Sequence, residues 1–109
     1  MNKKFSEKEL QRAVQSIYEW IKEQIKNNQV EEVFDRSVNC YYYISQKDAS
    51  LVGFWCLYYK NDIPIEVVYE NSTCKIRASS GKKEYVLELP DEDAHSLFEW
   101  AESDYEEFF

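Results

Sequence analysis

His95 is the single histidine of the chain, and Asp91, Glu99 and Glu102 recur around it at the spacing of one helical face. An imidazole among carboxylates has the parts for general acid–base work or for ligating a metal ion. The rest of such a site is missing from the sequence. No HExxH or EF-hand spacing is present, and no second helix carries further ligands. A Ser-His-Asp or Cys-His arrangement needs a nucleophile brought to the imidazole by tertiary structure, and no sequence signal marks one. Two glycines in 109 residues also leave little material for a phosphate-cradling loop. The reading is a solvated histidine, with no catalytic residue, no metal ligand and no cofactor.

Cys40, Cys56 and Cys74 follow no CxxC pattern and fall on apolar positions. Their number is odd, and the basic start of the chain (Met-Asn-Lys-Lys) leads into no apolar stretch of the signal-peptide kind. Reduced, buried thiols in a cytosolic protein are therefore expected. Cys40 and Cys56 are expected directly across a hairpin from one another, near enough to bond under oxidation.

Binding chemistry is better supplied. The chain carries 13 basic and 21 acidic residues, a net charge of −8. All of it belongs to residues 91–109, which hold eight acids and no base, while the first ninety residues sum to zero. This asymmetry marks an interaction surface or an acidic tail. It speaks against direct nucleic-acid binding, which relies on Lys and Arg to neutralise phosphates. Glu99, Glu102 and Glu106 share one helical face with His95, and Trp100 falls among Asp93, Asp104 and Glu107 as an aromatic anchor ringed by steering charge.

A second group is aromatic: Tyr41, Tyr43, Trp55, Leu57 and Tyr59 share one face of two neighbouring strands. It has three readings: a small second core beneath a helix, a protein interface, or a base-stacking platform. Stacking platforms need flanking cations, and only Lys75 and Arg77 share this face, with Glu66 and Glu84 beside Arg77. An open aromatic face of this kind also suits pairing with a second copy of the chain.

The elements that position these groups are readable. Ser6-Glu7-Lys8-Glu9 is a capping box, and Phe5 with Leu10 makes its hydrophobic staple. Leu10, Ala13, Val14, Ile17, Tyr18, Ile21 and Ile25 then give one apolar helical face, ending near Asn27-Asn28, with a further turn expected over 30–35. β-Branched and aromatic runs follow, predicting strands at 38–45, 51–60, 63–70, 73–78 and 84–89. Their connections suit hairpins of three, two, two and four residues, hence an antiparallel meander. In that register Val38, Cys40, Tyr42, Ile44, Val52, Phe54, Cys56, Tyr58, Ile63, Ile65, Val67, Tyr69, Cys74, Ile76, Ala78, Tyr85, Leu87 and Leu89 gather on one uncharged face. On the other face Tyr41 meets Trp55, Tyr43 covers Gly53, Glu66, Arg77 and Glu84 lie side by side, and Lys75 falls between Val68 and Val86. After Pro90, Ala94, Leu97, Phe98, Ala101, Tyr105 and Phe108 form the stripe of a last helix whose acidic first turn suits the helix dipole.

The class is α+β in a single domain over residues 1–109: an N-terminal helix, a five-stranded antiparallel meander and an acidic C-terminal helix. No apolar run is long enough for a membrane span. The leading functional expectation is a stoichiometric inhibitor of the anti-CRISPR or anti-restriction type, such as phages and mobile elements carry. Its last helix, through Glu99, Trp100, Glu102, Asp104, Glu106 and Glu107, would occupy a basic nucleic-acid-binding surface of a larger protein by charge mimicry. The alternative is an immunity protein, chaperone or adaptor holding one cognate protein partner through Tyr41, Tyr43, Trp55 and Tyr59. An enzyme is the third class, with His95 its test residue.

Overall fold

The structure, a computed structural model, describes residues 4–35 and 39–108. Val38, expected to open the first strand, and the side chain of Phe108 lie outside the described residues. Helix α1 spans Glu7–Lys26 and α2 spans Glu31–Asp35. Strands β1 (Asn39–Ile44), β2 (Leu51–Lys60), β3 (Ile63–Glu70), β4 (Thr73–Ser80) and β5 (Lys83–Glu88) form one antiparallel sheet in sequence order, and α3 spans Asp91–Phe108. The α+β meander read from the sequence is the fold.

The start of α1 is fixed as the capping box requires. Glu9 N–H donates to Ser6 Oγ at 3.2 Å, and Ser6 N–H donates to Glu9 Oε1 at 3.0 Å. Leu10, Val14 and Ile21 are fully buried on the sheet-facing side of α1. Long-range bonds hold the helix in place: Phe5 N–H donates to Ser80 Oγ at 3.0 Å, and Gln15 Nε2 donates to the Tyr85 hydroxyl at 3.3 Å.

All three helices lie on the sheet face that carries Phe54, Cys56, Ile65, Val67, Cys74 and Ile76, each essentially buried. Phe54 is the centre of this layer. Phe34 of α2 meets it edge-on at 5.3 Å between ring centroids, Tyr69 stacks on it at 5.7 Å, and Phe98 of α3 stacks on Tyr69 at 4.6 Å. Alternating and edge-to-face rings of this kind add to the burial of apolar area.

Turn chemistry sets the registers. Asn61-Asp62 and Asn71-Ser72 have positive φ at both positions (51° and 66°, 54° and 66°), the two-residue turn whose twist matches paired strands. Two of the expected hairpins differ from the sequence reading. In the first, Ser45 N–H donates to Ser50 C=O at 2.8 Å around a four-residue loop in which Ala49 takes φ 59°. An irregularity then pairs Ile44 with Leu51 rather than Val52. A single extra residue reverses which side each chain position faces. Leu51 is therefore buried, while Ile44 and Val52, expected in the core, are exposed. In the last hairpin Gly81 (φ 63°) makes a two-residue turn with Lys82, so Ser80 pairs with Lys83. The shift of two positions leaves the core face unchanged. It moves Glu84 from Arg77 to Ser79 and places Lys75 opposite Glu88 and Arg77 opposite Val86.

Candidate interaction surfaces

The hairpin register sets Cys40 opposite Cys56, Tyr41 opposite Trp55 and Tyr43 opposite Gly53, as the sequence pattern implies. Since successive side chains alternate, Tyr41, Tyr43, Trp55, Leu57 and Tyr59 all project away from the helices. Among the described residues no helix covers them, so they form no second core beneath one. Tyr41 is 58% exposed, Tyr59 57% and Tyr43 40%, with Trp55 and Leu57 half-buried among them.

The patch is ordered by contacts within the sheet. Tyr41 and Trp55 lie 5.4 Å apart with their rings tilted by 33°. Tyr43 lies against the bare backbone of Gly53, its Cδ2 only 3.1 Å from where a Cβ would stand. Trp55 Nε1 donates to Glu66 Oε1 at 3.4 Å, and Glu66 Oε2 accepts from the Arg77 guanidinium, from Nε at 2.8 Å and from Nη2 as well. The Glu66 hydrogen bond raises the Arg77 pKa further, so the cation is permanent. A concavity of about 520 Å³ lies beside this network, lined by Tyr43, Trp55, Val68, Lys75, Arg77 and Val86 among others. Aromatic rings, aliphatic side chains and paired charges thus share one open surface.

The acidic helix is divided between two tasks. Asp93 Oδ2 accepts from the Tyr18 hydroxyl at 3.1 Å, and Asp104 Oδ2 accepts from the Tyr42 hydroxyl at 2.7 Å. Burial first, and then these carboxylate partners, raise both phenol pKa values. Trp100, placed by the sequence pattern outside the apolar stripe, is instead half-buried against the core. It shares one side of α3 with Asp93 and Asp104, which face inward because each meets a phenol. The stripe is therefore wider than Ala94, Leu97 and Ala101 alone. Asp91, Glu92, Glu99, Glu102, Glu106 and Glu107 remain exposed, and α3 contains neither Lys nor Arg.

His95 Nε2 lies 3.3 Å from Glu99 Oε1, with both side chains largely open to solvent. Among the described residues, no three or more His, Cys, Asp or Glu side chains converge as metal ligands would. Among the same residues no helix is long and apolar enough to cross a membrane. What the geometry offers chemically is contact area and charge. Comparisons with family models, curated proteins and solved structures give no match.

Proposed function

We propose that this chain is a non-enzymatic binding protein that holds one protein partner on the open face of its sheet, around Tyr41, Tyr43, Trp55 and Tyr59. The observation that carries this reading is the one-sided packing: three helices share one face, and the other presents three tyrosines exposed by 40% or more. Apolar patches on the surface of a small domain mark interaction sites, and Tyr and Trp are the residues that dominate binding energy at such sites. The glycine beneath Tyr43 and the Glu66–Arg77 pair beside Trp55 hold the rings in fixed positions, so little ordering entropy is lost on contact. An immunity protein, chaperone or adaptor with a single cognate partner fits this description.

A second reading rests on α3. Six exposed carboxylates follow one another along a helix without a single base, on a body that is otherwise neutral. A surface of that kind fits the basic, nucleic-acid-binding groove of a larger protein such as a CRISPR effector or restriction enzyme, with carboxylates in the places of phosphates. Trp100 and Asp104 are engaged within the fold, which leaves Glu99, Glu102, Glu106 and Glu107 as the contact set for this reading.

One experiment separates the two. The wild type, the Tyr41→Ser/Tyr59→Ser double variant and the Glu99→Gln/Glu102→Gln/Glu106→Gln/Glu107→Gln variant are each used as bait in host lysate at low and high salt. Sheet docking predicts a specific partner that survives high salt and is lost only with the tyrosines. Charge mimicry predicts a nucleic-acid-handling partner that salt releases and that is lost only with the glutamates. A partner kept by both variants removes both readings, and a second copy on the sheet face is detected by sedimentation of the wild type against the tyrosine variant.

A further inference from the structure

Cys40 and Cys56 stand directly across the β1–β2 pairing from one another, and their Sγ atoms are 3.0 Å apart. A disulfide has a sulfur–sulfur bond of about 2.05 Å, so about 1 Å of side-chain movement separates this pair from a covalent bond. The backbone is already held at pairing distance by the sheet on both sides of the two residues. The pair is also unequally accessible. Cys56 is buried on an interior strand at 1% exposure, whereas Cys40 is half-buried on β1, the edge of the sheet. Cys74 belongs to a different site: it lies on β4, paired with Tyr69, at 0% exposure.

We propose that Cys40 and Cys56 are an oxidative modification site, a cross-strand dithiol that hydrogen peroxide closes to a disulfide while Cys74 stays a thiol. The chemistry is balanced by one peroxide. The Cys40 sulfur, as thiolate, attacks a peroxide oxygen; the O–O bond breaks, the departing oxygen takes up a proton and leaves as water, and Cys40 becomes a sulfenic acid. The Cys56 sulfur then attacks Cys40 Sγ, the S–O bond breaks, and a second water leaves. Two thiols have lost one electron each and the peroxide has gained two. A dithiol reductant reverses the change by exchange through a mixed disulfide. The bond ties the edge strand to its neighbour beside Tyr41, Tyr42 and Tyr43. The proposal concerns the sulfur chemistry alone and stands whether or not the sheet face binds a partner.

Trypsin separates the three cysteines, since residues 37–47, 48–60 and 61–75 carry Cys40, Cys56 and Cys74 respectively. The folded wild-type protein is treated with hydrogen peroxide, alkylated under denaturing conditions and digested without reductant. The expected result is a single linked product joining 37–47 to 48–60, full alkylation of Cys74, and a rise in the thermal midpoint that dithiothreitol abolishes. Cys74→Ser should give the same link and Cys40→Ser should give none. Conversion of Cys40 to sulfinic acid with Cys56 still alkylated overturns the proposal. So do disulfide-linked dimers through Cys40, a bond that includes Cys74, or three thiols that remain unchanged. The wild-type digest decides the matter even if a serine variant does not fold.

Discussion

The Tyr42 hydroxyl donates to the Asp104 carboxylate across 2.7 Å, joining edge strand β1 to the second half of α3. Tyr105, one residue further along α3, donates to Ala49 C=O at 3.1 Å and packs edge-on to Tyr42 at 6.0 Å. An acidic residue that the sequence groups with a charged surface is in fact a fastener. Tyr42→Phe and Asp104→Ala should each cost about 1–2 kcal/mol, the range for a hydrogen bond to a charged group that is partly open to water. Together they should cost less than their sum, because each removes the same bond. Urea denaturation of the four proteins in the cycle measures this.

Stability should fall on the alkaline side. Burial pushes the Cys74 thiol from 9.0 up to about 12. The Cys40 contact and then burial raise Cys56, and burial raises Tyr42 and Tyr58 above their usual 10.0. In the unfolded chain these groups ionise near their ordinary values, so above about pH 9 the unfolded state holds fewer protons than the native state. Stability then declines with pH, by up to about 1.4 kcal/mol per pH unit for each group between its two values. Denaturation midpoints should be level near pH 8 and fall above 9, and Cys74→Ala should remove one group's share of the slope between 9 and about 12.

Gly53 has no room for a side chain. A Cβ there would stand 2.4 Å from the Tyr69 carbonyl oxygen, and a backbone atom in the middle of a sheet cannot give way as a side chain can. Gly53→Ala should cost about 3 kcal/mol or more, at the upper end of overpacking effects. The check is the thermal midpoint together with the near-ultraviolet circular dichroism, which reports the packing of all three tryptophans, Trp55 on the Tyr43 surface included.

Neighbours on β2 and the next strand positions should respond in opposite ways. Phe54 is fully buried between Phe34 and Tyr69, so Phe54→Ala should cost about 3–5 kcal/mol. Tyr59, on the other face and 57% exposed, should tolerate Ser within about 0.5 kcal/mol. A large loss in Tyr59→Ser would show that the open face supports the fold and would remove the case for docking there.

Glu66→Gln tests the surface network. The Glu66–Arg77 pair is partly exposed, so the change should cost under about 1 kcal/mol. Because Glu66 also accepts from Trp55 Nε1, the tryptophan emission should nevertheless shift.

Much of this surface is legible in the sequence, and the exceptions have identifiable causes. Glu66, Glu70, Lys75 and Arg77 alternate with aromatic and β-branched residues along β3 and β4, so only one phase keeps charge off the core, and the two-residue Asn61-Asp62 turn carries that phase back to β2. That is why the pairs Cys40–Cys56, Tyr41–Trp55 and Tyr43–Gly53 follow from the pattern. The bulge that buries Leu51 and exposes Val52 depends on the backbone of Ala49 at φ 59°, a conformation with no strong residue signature in alanine. The β4–β5 register escapes for another reason: sliding by two residues preserves every inward position, so hydrophobic patterning is blind to it. Trp100 and Asp104 were illegible because a helix stripe widens wherever polar flanks find partners inside, and Tyr18 and Tyr42 come from distant segments. The openness of the tyrosine face depended on where three helices would dock, which no single strand encodes.

The meander has a kinetic side. Each strand pairs with the one next to it in sequence, so every hairpin closes a short loop at small entropic cost. Helix α1 is the opposite: bonds from the helix and from Phe5 just before it reach Tyr85, Asp93 and Ser80, separations of 70, 75 and 75 residues. The hairpins can therefore form before α1 has a surface to dock on, and the docking of α1 joins the two ends of the chain. Truncating hairpin residues should slow folding. Truncating Leu10 or Val14 on the buried face of α1 should chiefly hasten unfolding, making the first helix the latch that sets how long the native state lasts.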